Sequence, residues 1–469
     1  MLGRFFVCLV AVLPFGWNFS SAVAEEMKPN IIFILADDLG YGDLSCYGQE
    51  KFATPNIDRL ASEGMKFRQF YAGSTVCAPS RCSLMTGYHT GRCEIRGNRD
   101  QPETLGNWPM SPGTVTVADV LKEAGYATGC FGKWGLGGPL SEGVAFRQGF
   151  DVFYGYYDQR HAHSYYPDHL YKNDQRIELD GKTYSHDLIE KAALDFIQAN
   201  RDTPFFCYMP VTIPHAAMQV PEEYVQPWRE KFREFENTIG RYSFESEVRN
   251  PVAAFPGMMT RLDVTVKRVL DLLEELRLNE NTIVFFSSDN GSHMEGGHRS
   301  DLFRSNGPLR GLKRDLYEGG IRVPMLVRRP GTIKPGTVSD HLGAFWDVLP
   351  TFAELAGVSP EHYPDGLDGL SFLPTLIGET DNQKEHPYLY WEFYEQKGKI
   401  AARYGKWKGI QLNIGETFGD PNAPLELYDL ENDLAETKNV AEDHPEIVQK
   451  FREIFKEAHV PSPLFQFPK

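Results

Sequence analysis

Two stretches of the chain carry unbroken runs of apolar residues that end in paired oxygen-bearing side chains. The first is Asn30-Ile31-Ile32-Phe33-Ile34-Leu35-Ala36-Asp37-Asp38-Leu39-Gly40 and the second is Asn281-Thr282-Ile283-Val284-Phe285-Phe286-Ser287-Ser288-Asp289-Asn290-Gly291. A short continuous apolar run bounded by polar residues predicts a strand buried on both faces, as in a parallel sheet. Between and after these runs the pattern alternates. Helices are predicted over Val115 to Ala124, Ser185 to Ala199, Thr260 to Leu276 and Phe345 to Leu355, and strands over Ala127 to Phe131, Pro204 to Val211 and Val323 to Val327. Such alternation predicts an α/β fold with a large parallel or mixed sheet and helices on both faces.

From about Lys384 the pattern changes. His386 to Phe393 and Ile400 to Ile410 predict antiparallel strands with aromatic faces, and His444 to Ala458 predicts a polar, amphipathic closing helix whose charge run reads as a solvated face. The expected organisation is one large domain over residues 25–383 and a small antiparallel sheet-and-helix subdomain over 384–469 that closes one rim of it. Ahead of both, residues 1–24 read as a secretory signal: Arg4 is the positive n-region, Phe5 to Phe15 the apolar core and Ala22-Val23-Ala24 the cleavage site. The run is too short to span a bilayer, and no later segment is apolar for long enough, so a secreted or periplasmic location with no membrane span is expected.

Composition narrows the partners. The formal charge of −16 argues against nucleic acid. It leaves an anionic small substrate open, because a local group of Arg and Lys decides that. Of the seven cysteines, Cys8 leaves with the signal, and export permits disulfides among the rest, with Cys82 and Cys93 one candidate pair.

The paired residues at the two strand ends are the first candidate chemistry. In open α/β sheets, ligands bind off the carboxyl ends of strands. Asp37, Asp38 and Asp289 with the Asn290 amide are hard oxygen donors that suit Ca²⁺ or Mg²⁺, and adjacent carboxylates repel unless a cation lies between them. A solvated turn is the plainer reading of either end alone. Asn290-Gly291-Ser292 is formally a glycosylation sequon, but a ligand at a strand end is the better reading. The second candidate is Cys77, which follows the apolar Phe67 to Ala72 and precedes Ser83 to Met85, where a helix is expected to open. That places the thiol at a strand-to-helix elbow near helix N-terminal amides, which favour negative charge. A buried structural cysteine beside a turn is the alternative.

Cys77-Ala78-Pro79-Ser80-Arg81 followed by Leu84, Thr86 and Gly87 resembles the signature of the type I, formylglycine-dependent sulfatases, Cys-x-Pro-Ser-Arg-x-x-Leu-x-Thr-Gly. Further resemblances follow in the family's order: Gly132-Lys133-Trp134-Gly135-Leu136-Gly137, Thr212-Ile213-Pro214-His215, Gly311-Leu312-Lys313, Glu318-Gly319-Gly320-Ile321-Arg322-Val323-Pro324, and the tail Glu426-Leu427-Tyr428-Asp429-Leu430 with Asp433 to Asn439. Alone, Lys133 and Lys313 would read as solvated charges and His215 as a packed histidine. The resemblance covers the mature chain nearly end to end and implies an alkaline-phosphatase-like fold.

It also implies a sulfuric ester hydrolase in which a separate formylglycine-generating enzyme oxidises Cys77 to Cα-formylglycine. One Ca²⁺ is then held by Asp37, Asp38, Asp289 and Asn290 together with position 77. The hydrated aldehyde attacks sulfur, His215 helped by Lys313 gives a proton to the departing sugar oxygen, and Arg81 and Lys133 hold the nucleophile and its charge. A phosphonate monoester or phosphodiester hydrolase of the same superfamily is the nearest alternative, and a carbohydrate-binding protein with Cys77 never converted lies outside enzymes.

The polar and aromatic stretch Gln159-Arg160-His161-Ala162-His163-Ser164-Tyr165-Tyr166-Pro167 suits sugar hydroxyls and faces. It is similar to loops in exported bacterial sulfatases acting on sulfated galactose or N-acetylgalactosamine, with O4 the position considered. Arg160, His161 and His163 are therefore candidate substrate residues. One departure from the family is Gly135, where many members have histidine. His161 or His163 is expected to fill the resulting gap, with a metal-ligating aspartate taking the proton as the alternative.

Overall fold

The computed structural model describes residues 28–420 and 422–468, together with Gly3; the stretch read as a secretory signal lies, but for Gly3, outside the described residues. Strand Asn30–Ala36 runs through the middle of an eleven-stranded mixed sheet. Alternate side chains of a strand point to opposite faces. Ile31, Phe33 and Leu35 accordingly enter one core and Ile32, Ile34 and Ala36 the other. Helices Cys77–Thr86, Val117–Glu123 and Val348–Leu355 cover the first core, while Pro55–Ser62, Ser185–Ala199, Glu222–Arg229 and Pro251–Glu275 cover the second.

The central strand pairs in parallel with Phe205–Pro210 on one side and Thr282–Ser288 on the other. Ala127–Lys133 and Val152–Tyr156 continue the parallel set beyond Phe205–Pro210. On the opposite side Arg322–Arg328 and then Met65–Tyr71 are added antiparallel. Five neighbouring strands therefore point their carboxyl ends the same way, which gathers the loops after them at one edge of the sheet.

Three elements differ from the sequence expectation. The helix expected to open near Ser83 begins at Cys77 itself, after an extended Val76, and ends at a left-handed Gly87. Pro79 sits in its first turn, where a missing N–H costs nothing. The helix expected from Thr260 begins at Pro251, capped by the Asn250 side chain. Residues 251–259 are all buried, so they lack the polar face that reveals an amphipathic helix. The single strand expected over Ile400 to Ile410 is a hairpin, Lys399–Tyr404 and Trp407–Leu412, turning at Gly405. Cys82 and Cys93, the candidate disulfide pair, are both free thiols here.

The hairpin belongs to a four-stranded antiparallel sheet with Leu389–Phe393 and Glu426–Asp429. One face, carrying Trp391, Ala401 and Ile410, packs on Tyr71, Val76 and Trp346 of the large layer, and helix Pro445–Ala458 covers the other. The Trp391 indole N–H donates to the Ala72 carbonyl at 2.9 Å, which ties this sheet to the segment leading into Cys77. Beside it lies a buried ionic knot. Glu318 accepts from Lys408 Nζ at 2.8 Å, from Arg322 at 3.1 Å and from the Tyr71 hydroxyl at 2.7 Å. Glu436 of the tail accepts from the Glu318 backbone N–H at 2.7 Å. The Glu-Gly-Gly-x-Arg motif and the tail motif are thus two halves of one clamp.

Burial pushes the Glu318 carboxyl up, but Lys408, Arg322 and Arg403 together outweigh it and bring it to about 2. The stabilisation from Glu318 is therefore complete above the ordinary carboxylate value of about 4.3 and is lost as pH falls through the folded-state value. Lys408→Ala leaves that carboxylate buried without its nearest cation, and denaturant unfolding at neutral pH is expected to show a loss of about 3–5 kcal/mol. The deficit relative to wild type should shrink as the pH is lowered towards 2 and Glu318 takes up a proton; a deficit independent of pH would count against the clamp.

Candidate active site

Register builds the centre of the site. Ala36 lies opposite Ser288 in the parallel pair, so the residues that follow, Asp37-Asp38 and Asp289-Asn290, leave the sheet side by side. All four are buried. Asp38 adopts a left-handed φ of 63°, and its N–H donates to Asp289 Oδ1 at 3.1 Å. The Asn290 amide donates to Asp38 Oδ1 at 2.7 Å, while Asn290 Oδ1 is buried with no hydrogen-bond partner.

Cations from three other elements close around these carboxylates. Lys133, the last residue of its strand, reaches Asp37 Oδ2 at 2.7 Å. Arg81, one turn into the Cys77 helix, places Nη2 2.8 Å from Asp289 Oδ2 and 3.6 Å from Asp37 Oδ2. Lys313 reaches Asp38 Oδ2 at 2.7 Å. Burial alone would raise the Asp37 carboxyl, but the charges of Lys133, Arg81 and Lys313 hold it well below the usual carboxylate range. Asp289 moves the other way, to about 6, because burial and the neighbouring Asp37 outweigh Arg81. The Cys77 thiol points at Asp37 Oδ1, 3.4 Å away, and burial followed by the Asp37 charge pushes its pKa up. A thiol kept protonated in this way is a poor nucleophile as encoded.

His215 completes the inner group. Its Nδ1 donates to the Ala216 carbonyl, so Nε2 carries the lone pair and accepts from the Lys313 ammonium at 3.0 Å. Burial and then Lys313 hold the imidazole pKa well below 6.5, which keeps the ring neutral beside a charged lysine. Lys313 itself is held well above its ordinary value: burial opposes its charge, but Asp38 and the other anions outweigh that.

Of the three candidate substrate residues, only His163 meets this group. Its ring stacks on His215 at 4.4 Å with an interplanar angle of 6°. His161 instead stacks on His169 at 4.1 Å and meets Tyr156 edge-on at 5.0 Å, and Arg160 pairs with Asp100 at the surface. Sequence reasoning missed His293, a buried ring 5.7 Å from His215, and Tyr242, which meets His215 edge-on at 5.4 Å. His293 follows Asn290 by three residues and could have been suspected from that spacing. Nothing in the sequence around Tyr242 marks it.

The donor set fits a hard cation. Asp37, Asp38 and Asp289 offer carboxylate oxygens, and the orphaned Asn290 Oδ1 is an amide acceptor that a cation would satisfy. Donor atoms of Asp37, Asp38, Cys77 and His215 lie within 4.8 Å of one another.

The Sulfatase family model matches residues 29–358, and a second, N-sulphoglucosamine sulphohydrolase, C-terminal, matches residues 312–460. The chain belongs to the sulfatase family. It is 31% identical to human arylsulfatase A over 460 residues, covering 93% of this chain and 88% of the relative. It is 31% identical over 510 residues to the N-acetylgalactosamine-6-O-sulfatase of Bacteroides thetaiotaomicron, covering 92% and 93% of the two chains. The solved structure of Ps i-CgsB in complex with k-i-k-neocarrahexaose superposes with a TM-score of 0.79 at 27% identity, covering 94% of this chain and 96% of that one. The fold is accordingly that of the alkaline phosphatase superfamily, and the enzyme is a sulfuric ester hydrolase.

Gly135 of this sulfatase does not leave an open gap for His161 or His163. Its φ is +74°, and a Cβ built there would lie 2.8 Å from Gln159 Nε2. The Gln159 side chain occupies the space, with its backbone N–H held by Asn107 at 2.9 Å and its amide 3.4 Å from Asn98 Oδ1. Asn98 Oδ1 in turn accepts from the Ala78 N–H at 2.9 Å, so Gln159 is linked to the Cys77 helix. The expectation failed because it assumed a histidine would be replaced by a histidine, whereas the nearer residue of the same loop reaches the space first.

Gly135→His should therefore destabilise the protein through the clash and the left-handed backbone together, by about 1–3 kcal/mol. Adding Gln159→Gly should recover part of that loss. A double-mutant cycle by denaturant unfolding is expected to give a coupling of at least about 0.5 kcal/mol between the two positions, and strict additivity would show that they do not share the space.

Proposed function

We propose that this sulfatase is exported, is matured at Cys77 to formylglycine, binds one Ca²⁺, and removes sulfate from a carbohydrate. The observation that carries the reading is the position of the Cys77 side chain: 3.4 Å from Asp37, on the helix that also supplies Arg81, within a buried ring of Asp37, Asp38, Asp289, Lys133, Lys313 and His215. Asp37, Asp38, Asp289 and Asn290 would hold the ion, which when bound supplies Lewis acidity towards the sulfate oxygens. Oxidised to the aldehyde, position 77 supplies through its hydrate the oxygen that attacks sulfur.

The remaining chemistry belongs to encoded side chains. Sulfate-ester cleavage breaks the sulfur–oxygen bond to the alcohol and builds negative charge on the departing oxygen and on the nonbridging oxygens. Lys133 and Lys313 offer fixed positive charge to those oxygens, and Arg81 pairs with Asp289 and Asp37 and holds them in place. The departing oxygen takes a proton from the Lys313–His215 pair, whose nitrogens are 3.0 Å apart. His215 is held in one tautomer by the Ala216 carbonyl, which keeps Nε2 aimed at that proton. Burial of the group excludes bulk water and strengthens each of these interactions.

The substrate we favour is an N-acetylgalactosamine or galactose sulfate. Support comes from the N-acetylgalactosamine-6-O-sulfatase of Bacteroides thetaiotaomicron and the neocarrahexaose complex of Ps i-CgsB, and from the aromatic rings of His163, stacked on the buried His215, and of Tyr242, edge-on to both. The N-acetylgalactosamine-6-O-sulfatase relative favours the 6-O position over the O4 position considered from sequence.

Cys77→Ala should fold with an unchanged unfolding midpoint and lose sulfate release by at least about 10³-fold, since only the nucleophile is removed. Intact-mass measurement of active wild type should show a loss of about 18 Da from the cysteine form, whereas ordinary thiol oxidations raise the mass. Turnover by a cysteine-only sample would end the maturation reading. Chelation with EGTA should abolish activity and Ca²⁺ should restore it, and restoration by Zn²⁺ alone would contradict an all-oxygen site. A screen of defined sugar sulfates against aryl and steroid sulfates tests the substrate class; activity confined to the latter would refute the carbohydrate reading.

A further inference from the structure

The short paired strands Ile239–Gly240 and Val248–Arg249 carry a hairpin whose tip stands at the mouth of the site. The tip is a tight turn: the Glu245 N–H donates to the Tyr242 carbonyl at 3.1 Å, and Ser243 takes a left-handed φ of 52°. Arg241 and Glu247 pair across its base at 2.7 Å. Gly240 presses on the loop that follows Asn290, so closely that an added Cβ would lie 2.1 Å from the Gly296 carbonyl oxygen. The hairpin is thus fastened to the same loop that leaves the strand ending in Asp289 and Asn290.

Its two aromatic residues face opposite ways. Tyr242 turns inward and meets His163 at 5.1 Å and His215 at 5.4 Å, both edge-on. Phe244 turns outward and is 101% exposed, the most exposed of the large hydrophobic residues among those described. A phenyl ring left wholly in water forfeits the burial that stabilises such side chains elsewhere in the fold. It is therefore free to meet a ligand at no cost to the fold.

The direction of the substrate supplies one. Cys77, Lys133, His215 and Lys313 are all buried, so a sulfate reaching them is enclosed while the rest of its molecule stays outside. The leaving oxygen must face the Lys313–His215 pair. The sugar bearing it then passes over the His163 and Tyr242 rings that touch His215. Phe244 lies two residues beyond Tyr242, at most about 7 Å along the chain, a span comparable with one sugar unit.

We propose that this hairpin forms a second saccharide subsite, with Tyr242 and His163 against the sulfated sugar and Phe244 as the platform for the adjoining one. The proposal rests on the carbohydrate reading given above. Aromatic rings present a flat apolar face to the C–H face of a pyranose. The two arginines of the hairpin, Arg241 and Arg249, are already paired with Glu247 and Glu236, so the adjoining unit is recognised by its apolar face and not by a second sulfate.

The test uses matured enzyme and a series of mono-, di- and tetrasaccharides that share one sulfated terminal unit. Wild type is expected to favour the disaccharide over the monosaccharide by about tenfold in kcat/KM, mainly through KM. Phe244→Ala should bring that ratio close to one, and Phe244→Trp should keep it. The ring is fully exposed, so unchanged unfolding midpoints are expected for both variants. Hydrolysis without dependence on length, or a ratio unaltered in Phe244→Ala, overturns the subsite while leaving the carbohydrate reading intact. Failure of wild type to hydrolyse any sugar sulfate overturns that reading and the subsite with it.

Discussion

Three carboxylates buried within reach of one another repel strongly unless positive charge is buried with them. In this sulfatase Asp37, Asp38 and Asp289 meet that condition through Lys133, Lys313 and Arg81, each delivered by a different element. The strand register that sets Ala36 opposite Ser288 brings the acids together, and the cations pair with them there and hold Asp37 well below the usual carboxylate range. The same cations that satisfy the acids are the ones a sulfate group would meet. Structural neutralisation and affinity for an anionic ester therefore come from one set of side chains. The orphaned Asn290 Oδ1 shows where the compensation is left incomplete, at the position that suits a bound cation.

The second sheet serves this arrangement indirectly. Trp391 holds the Ala72 carbonyl, five residues ahead of Cys77, and the Glu318 clamp joins the segment between Lys313 and strand Arg322–Arg328 to the tail. Lys399 adds another tie by donating to the Arg314 carbonyl, next to Lys313. Two of the loops that carry active-site residues are thus fixed by a layer that contributes none of the inner group itself. Ionic partners buried this far from solvent add little net stability against an apolar alternative, but breaking one is costly, which makes the clamp a device for holding one arrangement.

Around His215 the site changes character from charged to aromatic. His163, His293 and Tyr242 surround its ring, coming from three separate segments. Burial keeps His163 and His293 neutral, so His215 gains packing from them without a further positive charge against its ring. The sulfate side of the pocket is therefore set by ion pairs and the leaving-group side by stacked rings, which matches an ester with one anionic end and one bulky polar-apolar end.

The sequence by itself determined the two buried strands, the oxygen donors at their ends and the motif around Cys77. These are local facts: an apolar run, a polar stop and a fixed spacing survive in one dimension. It also carried most of the helices, failing where burial removed the polar face, as over residues 251–259, or where a single Gly405 turned one apparent strand into two. Only the tertiary structure decided which of several equally plausible side chains reached the centre. His161 and His163 are two residues apart in a 3₁₀ turn, yet one packs on His169 and the other on His215. Gln159, not either histidine, fills the space at Gly135, and Tyr242 arrives on a hairpin whose sequence gives no sign of it. Such choices depend on which loops the sheet order brings together, and that order is a property of long-range pairing, to which residue spacing along the chain is blind.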